Sequence, residues 1–227
     1  VMGATGTGKS TFINLVSGSN LPVGEGLRSC TPEVQTSPPF DLAGHRVTLI
    51  DTPGFDDTLK TDTEILKLIS TFLANSYRAN TKLSGVVYMH RISDFKVGGI
   101  SRRNFSMFRA LCGDSTLKNV VVTTNMWGEV DEARGALREA QLATDPLLFK
   151  PVLDRGARMV RHTNTRDSAL AIIGHFIGSA PLALQVQREI VDERRAVEKT
   201  TAGEELRTEE MREAERRQEE AARAQRE

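Results

Sequence analysis

Eight residues near the start of the chain carry its sharpest chemistry. Residues 3–10 read Gly-Ala-Thr-Gly-Thr-Gly-Lys-Ser. Gly3, Gly6 and Gly8 can take backbone angles that turn successive N–H groups toward one anion. Lys9 adds a point charge for the outer phosphates of a nucleotide, and Ser10 a hydroxyl for Mg2+. By register, Ala4, Thr5, Thr7 and Thr11 line the same phosphate chain. The apolar run Phe12, Ile13, Leu15 and Val16 reads as a helix directly behind the loop, and its positive end adds to the anion site.

A second group follows at a telling distance. Residues 46–50 (Arg-Val-Thr-Leu-Ile) read as a strand leading into Asp51-Thr52-Pro53-Gly54. A carboxylate at the end of such a strand is placed to assist Mg2+, and the Gly54 N–H to meet a third phosphate. Between the groups, Thr31 is the expected threonine to close on the cation and the outermost phosphate, with Thr36 as the alternative. That closure would make the loop an order–disorder switch. Lys9, Thr31 and Gly54 are the expected catalytic set; Ser10, Thr31 and Asp51 are the expected metal set.

These loops need a scaffold. Helices are expected at 11–17, 61–78, 101–111, 130–142 and 168–177. Strands are expected at 46–50, 83–91, 119–124 and 157–161. Residues 20–39 read as a long loop or a poorly ordered edge. Most strands are β-branched runs rather than alternating ones, which predicts a mainly parallel sheet covered on both faces: an α/β, three-layer P-loop sandwich. Only Val1 and Met2 represent the strand expected ahead of the loop, so the reading is of an N-terminally shortened domain whose sheet has a gap or a rearranged neighbour.

Charge divides the chain unevenly. Residues 181–227 hold 13 acidic and 10 basic side chains, against 17 and 20 in the first 180. The expected organisation is a domain over 1–180 and a charged helical tail over 181–227. Glu213 with Arg217 and Glu219 with Arg223 support a helix. The tail is expected to stay solvated or to fold back, with a coiled coil as the alternative, because Gly203 and Glu204 break the heptad. The overall balance of 30 basic and 30 acidic residues gives no bulk basic surface for nucleic acid. Arg102, Arg103 and Arg109 are too few to claim one. The apolar runs are too short for a transmembrane helix, and two cysteines make neither a disulfide framework nor a metal site. A reducing, cytoplasmic setting is the expectation.

The two phosphate motifs resemble those of a GTPase G domain of the translation-factor-related class. The likeness covers about residues 1–180 and is nearest to septins and to the immunity-associated and chloroplast-import-receptor GTPases. The stretches 88–94 (YMHRISD) and 121–127 (VVTTNMW) look like fungal G-domain proteins of that neighbourhood. The resemblance implies GTP/GDP and Mg2+ binding, slow hydrolysis, and homo- or hetero-oligomers across the nucleotide face.

Two departures stand out. After the strand at 119–124, GTPases usually carry [NT]-K-x-D, whose Asp reads guanine. Here the residues are Thr124-Asn125-Met126-Trp127, without Lys or Asp in register. Asn125 can bond a base edge and Trp127 can stack on it, or Trp127 is core. Glu129 and Asp131 are candidates for a displaced carboxylate. For the last base-contacting loop, residues 162–164 are better placed than Ser168-Ala169-Leu170. After Gly54, where a water-orienting Gln is familiar, stands Phe55; Asp56, Asp57 and Thr58 are the nearby polar groups. Slow turnover follows. A nucleotide-bound scaffold without useful turnover, or a P-loop ATPase or kinase, are the competing readings. His90 and Arg91 read as a surface pair.

Overall fold

The computed structural model describes residues 1–23, 33–57, 59–94 and 99–224. Thr31 lies outside the described residues, as do Arg28, Cys30 and Thr58.

Four parallel strands form the central sheet in the order β1 (Met2–Gly3), β6 (Val86–Arg91), β7 (Val120–Asn125), β8 (Arg158–Arg161). The numbering leaves room for short strands on the other flank. The pair β2 (Gln35–Thr36) and β5 (Ile50–Asp51) is antiparallel, as is the hairpin β3 (Phe40–Leu42) with β4 (His45–Val47). The expected strand 46–50 is therefore two pieces, and the expected long loop 20–39 contains a strand. The break at 48–49 has a local cause. Ser37 takes over the pairing there, its N–H bonding the Leu49 carbonyl at 2.8 Å and its hydroxyl accepting the Leu49 N–H at 3.0 Å.

The Val1 nitrogen donates to the Ile50 carbonyl at 2.7 Å and the Val1 carbonyl accepts the Thr52 hydroxyl at 2.9 Å, tying the end of β5 to the start of β1. Below that point a cavity of about 850 Å³ separates residues 45–50 from Val86 and Val87. Its walls are mostly apolar, with Ile69, Phe72, Leu73 and Phe176 among them.

Helices cover both faces. On one, α1 (Lys9–Ser17) and α6 (Arg166–Gly174) bury Phe12, Ile13, Val16, Ala169 and Ile172 against Val87, Met89 and Val121. On the other lie α2 (Asp62–Arg78) and α3 (Gly99–Cys112). The start of α2 is set by a reciprocal cap: the Thr61 hydroxyl accepts the Glu64 N–H and Glu64 accepts the Thr61 N–H. Tyr88, Phe105, Phe108 and Phe149 pack tightly here; the Tyr88–Phe108 and Phe105–Phe149 centroids lie 4.5 and 4.6 Å apart. Such pairs add about 0.5–1.5 kcal/mol beyond the area they bury.

The chain next forms α4 (Glu132–Thr144) and α5 (Lys150–Leu153), then, past α6, α7 (Gln185–Val191) and α8 (Thr201–Ala224). Residues after 181 fold back onto the body. Leu184, Val186, Ala202 and Leu206 are buried in the same cluster as Phe108. Gly203 does not interrupt α8. It sits in the first turn because a Cβ there would lie 2.4 Å from the Val197 carbonyl oxygen. On α3, Arg103 joins Asp62 at 2.5 Å and Glu213 of α8 at 2.6 Å. Gln187 donates to the Leu73 carbonyl at 2.9 Å from a buried position.

Candidate nucleotide site

The eight-residue loop connects β1 to α1 at the carboxyl end of the sheet. Gly8 has φ +88°, and a Cβ there would come within 2.7 Å of Asn125 Nδ2. No other residue type combines that angle with that approach. Asn125, at the end of β7, donates to the Thr7 carbonyl at 3.0 Å and so pins the loop from outside. Lys9 is buried, its Nζ 3.2 Å from the Gly3 carbonyl oxygen and 2.9 Å from that of Ala4. Burial lowers its pKa to about 8, against the pull of Asp51 and Asp57. The Thr7 hydroxyl bonds the Ala4 carbonyl at 2.9 Å.

Ser10 and Asp51 come together as the spacing suggests. The Ser10 hydroxyl donates to Asp51 Oδ2 at 2.6 Å. Asp51 is fully buried, and its other oxygen, Oδ1, has no hydrogen-bond partner among the described residues. A buried carboxylate oxygen left unpaired is costly unless a cation completes it. Among the described residues no three His, Cys, Asp or Glu side chains gather as a metal cluster. The fitting ion is a hard one that takes few protein oxygens and shares the rest with phosphate and water, which describes Mg2+.

Gly54 lies on the loop itself. A Cβ at this position would stand 2.5–2.6 Å from the Thr5 hydroxyl, Cα and N. The next residue locks the contact: the Thr5 N–H bonds the Phe55 carbonyl at 2.8 Å and the Phe55 N–H the Gly3 carbonyl at 3.3 Å. Phe55 is fully buried, and so offers no polar group to water. Asp56 holds φ +61° and gives its N–H to Asp62 at 2.8 Å. Burial, then Asp62, raises its pKa. Asp57 accepts the Leu59 N–H at 2.7 Å.

The base side is built differently. A cavity of about 770 Å³ opens beside Gly8 and Thr11, walled by Asn125, Met126, Glu129 and Asn164 among others. Trp127 lies in that wall with its ring engaged. Its Nε1 donates to the carbonyl and hydroxyl of Thr124, both at 3.2 Å. The six-membered ring packs against Gly135 of α4, where a Cβ would come within 2.7 Å. The Arg161 guanidinium sits over the indole at 4.1 Å, itself held by two oxygens of Glu139. The indole acts as a buttress in this arrangement, and a stacking base would have to displace Arg161. Asp131 caps α4 by accepting the Arg134 N–H at 3.1 Å, which commits the carboxylate offered for base reading to the helix. Glu129 accepts from Ser93 at 2.9 Å, and Glu132, which sequence reasoning passed over, joins it in the cavity wall. Ser168 lies behind the site: its hydroxyl holds buried His162 at 2.8 Å, while Thr163 and Asn164 face the cavity. Burial lowers the His162 pKa.

His90 and Arg91 are not a surface pair. His90 is buried edge-on against Phe149, 5.4 Å between centroids, and burial lowers its pKa to about 4. Arg91 points the other way, onto the loop. No local pattern marks this, because it depends on where β6 ends relative to β1.

Comparisons with known proteins agree with this geometry. The family model of the 50S ribosome-binding GTPase matches residues 1–126. GTP-binding protein A of Dictyostelium discoideum is 25% identical over 126 residues, which is 54% of this chain and 26% of that protein. The chain thus spans about a quarter of this relative's length. Toc33 from Arabidopsis thaliana, in complex with Mg2+ and GMPPNP, superposes with a TM-score of 0.57 at 16% identity, over 79% of this chain and 84% of that one. A structure from work on the chloroplast translocon components atToc33 and psToc159, whose dimerisation is important for their GTPase activity, gives 0.60 at 15% identity, over 78% and 80%. At these identities the likeness is one of fold.

Proposed function

The chain belongs to the 50S ribosome-binding GTPase family, and from that premise we propose that it binds GTP and GDP with Mg2+ and hydrolyses GTP slowly, as a molecular switch or a self-assembling GTPase. The observation that carries this reading is the Ser10–Asp51 pair beside buried Lys9, with Asp51 Oδ1 left without a partner among the described residues.

The roles follow from the positions. The Thr5 N–H is held by the Phe55 carbonyl, so the loop amides after it, up to Ser10, receive the phosphates, with Thr11 next to them at the start of α1. Lys9 gives up the Gly3 and Ala4 carbonyls and turns its charge to the outer phosphates. Ser10 and Asp51 would hold Mg2+, which supplies Lewis-acid neutralisation of the phosphate charge. The Gly54 N–H is the donor nearest the third phosphate. Thr31 keeps its role as the closing threonine on the sequence argument alone. Water attacks the third phosphate and the diphosphate leaves. Phe55 provides no group to orient that water, which supports a slow rate. Asn125 holds the loop rather than the base, so guanine selection falls to Glu129 or Glu132.

Placement near the septin and immunity-associated GTPases is part of the same proposal, as is dimerisation across the nucleotide face. The first rests on the motif resemblance, and the second is supported by the Toc33 neighbour, whose dimerisation is important for its GTPase activity. No described helix is long and apolar enough to cross a membrane. A scaffold without useful turnover is the second reading, favoured by Phe55. Family membership weighs against the ATPase or kinase reading.

The test is a titration with fluorescent GDP, competed by GTP and ATP, with Lys9→Ala as control. Guanine-selective, Mg2+-dependent binding that Lys9→Ala removes is expected. Single-turnover hydrolysis separates the two readings: a slow but finite rate is expected, and none at all leaves the scaffold. ATP competing as well as GTP would sink the guanine assignment.

A further inference from the structure

Arg91 is the last residue of β6 and one of the best-anchored positions beside the loop. It pairs in register with Asn125, and the next N–H, that of Ile92, bonds the Asn125 carbonyl at 2.9 Å. Asn125 in turn grips Thr7. The base of the Arg91 side chain is thus tied to the phosphate loop through one residue. Its guanidinium reaches the loop directly: Nη1 lies 3.3 Å from where a Cβ on Gly6 would stand. Among the described residues its one ion pair joins Nε to Asp94 at 3.0 Å, a charge contact without hydrogen-bond geometry, and the side chain keeps 38% of its exposure. Among the described residues the Nη donors make no hydrogen bond.

From this placement we infer that Arg91 is a phosphate-binding residue of the nucleotide site, supplying from within the chain an arginine that contacts the bound phosphates beside Lys9. The inference rests on the nucleotide reading above and adds a residue to it. Lys9 on the loop and Arg91 beside it repel each other until an anion enters between them. The burial that lowers the Lys9 pKa is assisted by the charge of Arg91. A triphosphate reverses that repulsion. The fork of Arg91 offers two parallel donors to phosphate oxygens, a geometry a lysine lacks. Asp94 is then the resting partner, and the bound phosphate competes with it.

Competition gives a test with opposite signs. The probes are GMPPNP and GDP, titrated with Mg2+ against the full chain at fixed salt, with thermal melting to confirm folding. Losing one charge-assisted contact is expected to weaken GMPPNP about 10- to 100-fold in Arg91→Ala. Arg91→Lys should recover part of that loss. Asp94→Asn, which frees the guanidinium, should tighten binding by about threefold or more, in the range of a partly exposed ion pair. If Arg91→Ala binds as the wild type does, or if Asp94→Asn weakens binding in parallel with it, the pair is merely structural and the inference is wrong. Loss of binding in Lys9→Ala alone would leave the nucleotide reading standing without Arg91. A wild-type chain that binds neither nucleotide overturns both.

Discussion

The two ends of the nucleotide site are made of different material. The phosphate end is backbone: successive amides of one short loop, kept open by glycines, with Lys9, Ser10 and Asp51 fixed at its base. The base end is side chains, brought from behind β7, from α4 and from behind β8, around a cavity of about 770 Å³. Backbone geometry tolerates few sequences, since one Cβ at Gly8 or Gly54 collides with its neighbours. Side chains from separate segments can be exchanged one at a time while the cavity persists. Strict motif and loose pocket therefore coexist in one site.

That contrast can be broken by experiment. The largest effect belongs to Lys9→Ala: affinity for GDP and ATP alike should fall about 100-fold or more, because the charge it removes ignores the base. A loss confined to one base would erase the distinction between the ends. Gly54→Ala comes next. With the new Cβ 2.5–2.6 Å from Thr5, overpacking should cost about 1–3 kcal/mol in denaturant melts and shift the loop itself. Unchanged stability would mean that segment yields freely.

A pH titration sharpens the same point. Burial holds Lys9 at about 8 in the free protein, below its ordinary 10.5. Phosphate favours the protonated form, so affinity should be level below pH 8 and fall by up to about tenfold per unit above it. Stability runs the other way. Between about 8 and 10.5 the unfolded chain binds the proton that the folded one lacks, so this group makes stability rise with pH there. Melting curves and affinities moving together would contradict the assignment to Lys9. The smallest effect is expected at the base end. A Cβ at Gly128 meets nothing within 4 Å, so Gly128→Asp adds a carboxylate at the cavity rim without strain. Competition assays should show GTP preference over ATP rising about tenfold, the worth of one added charged hydrogen bond.

The same contrast explains what could be read in the sequence. Lys9, Ser10, Asp51 and Gly54 were legible because their motif spacing dictates their geometry; in the structure Ser10 bonds Asp51 and Gly54 lies against Thr5. The parallel sheet was legible from β-branched runs such as Val120–Val122. The strands at 35–36 and 40–42 were not, since runs of two or three residues carry no period. Asp131 read as a base-side carboxylate because sequence cannot separate a cap from a ligand three residues away. Arg91 read as a surface residue and Glu132 went unread, for what each faces is set by segments far apart in the chain. Gly203 read as a helix break because its reason, the Val197 carbonyl, is a tertiary one.

The fold-back of α7 and α8 bears on how the chain reaches its native state. A polypeptide leaves the ribosome from its N-terminus, so the loop, the sheet and α1–α6 emerge first. Leu184, Val186, Ala202 and Leu206 belong to the cluster that contains Phe108 and Leu111. Until they arrive, that face of the nascent sheet–helix sandwich stands open. Arg103 waits as well, paired with Asp62 but lacking Glu213. Synthesis of this protein therefore passes through an interval in which the nucleotide loop already exists while an apolar wall is bare, the kind of surface that chaperones engage.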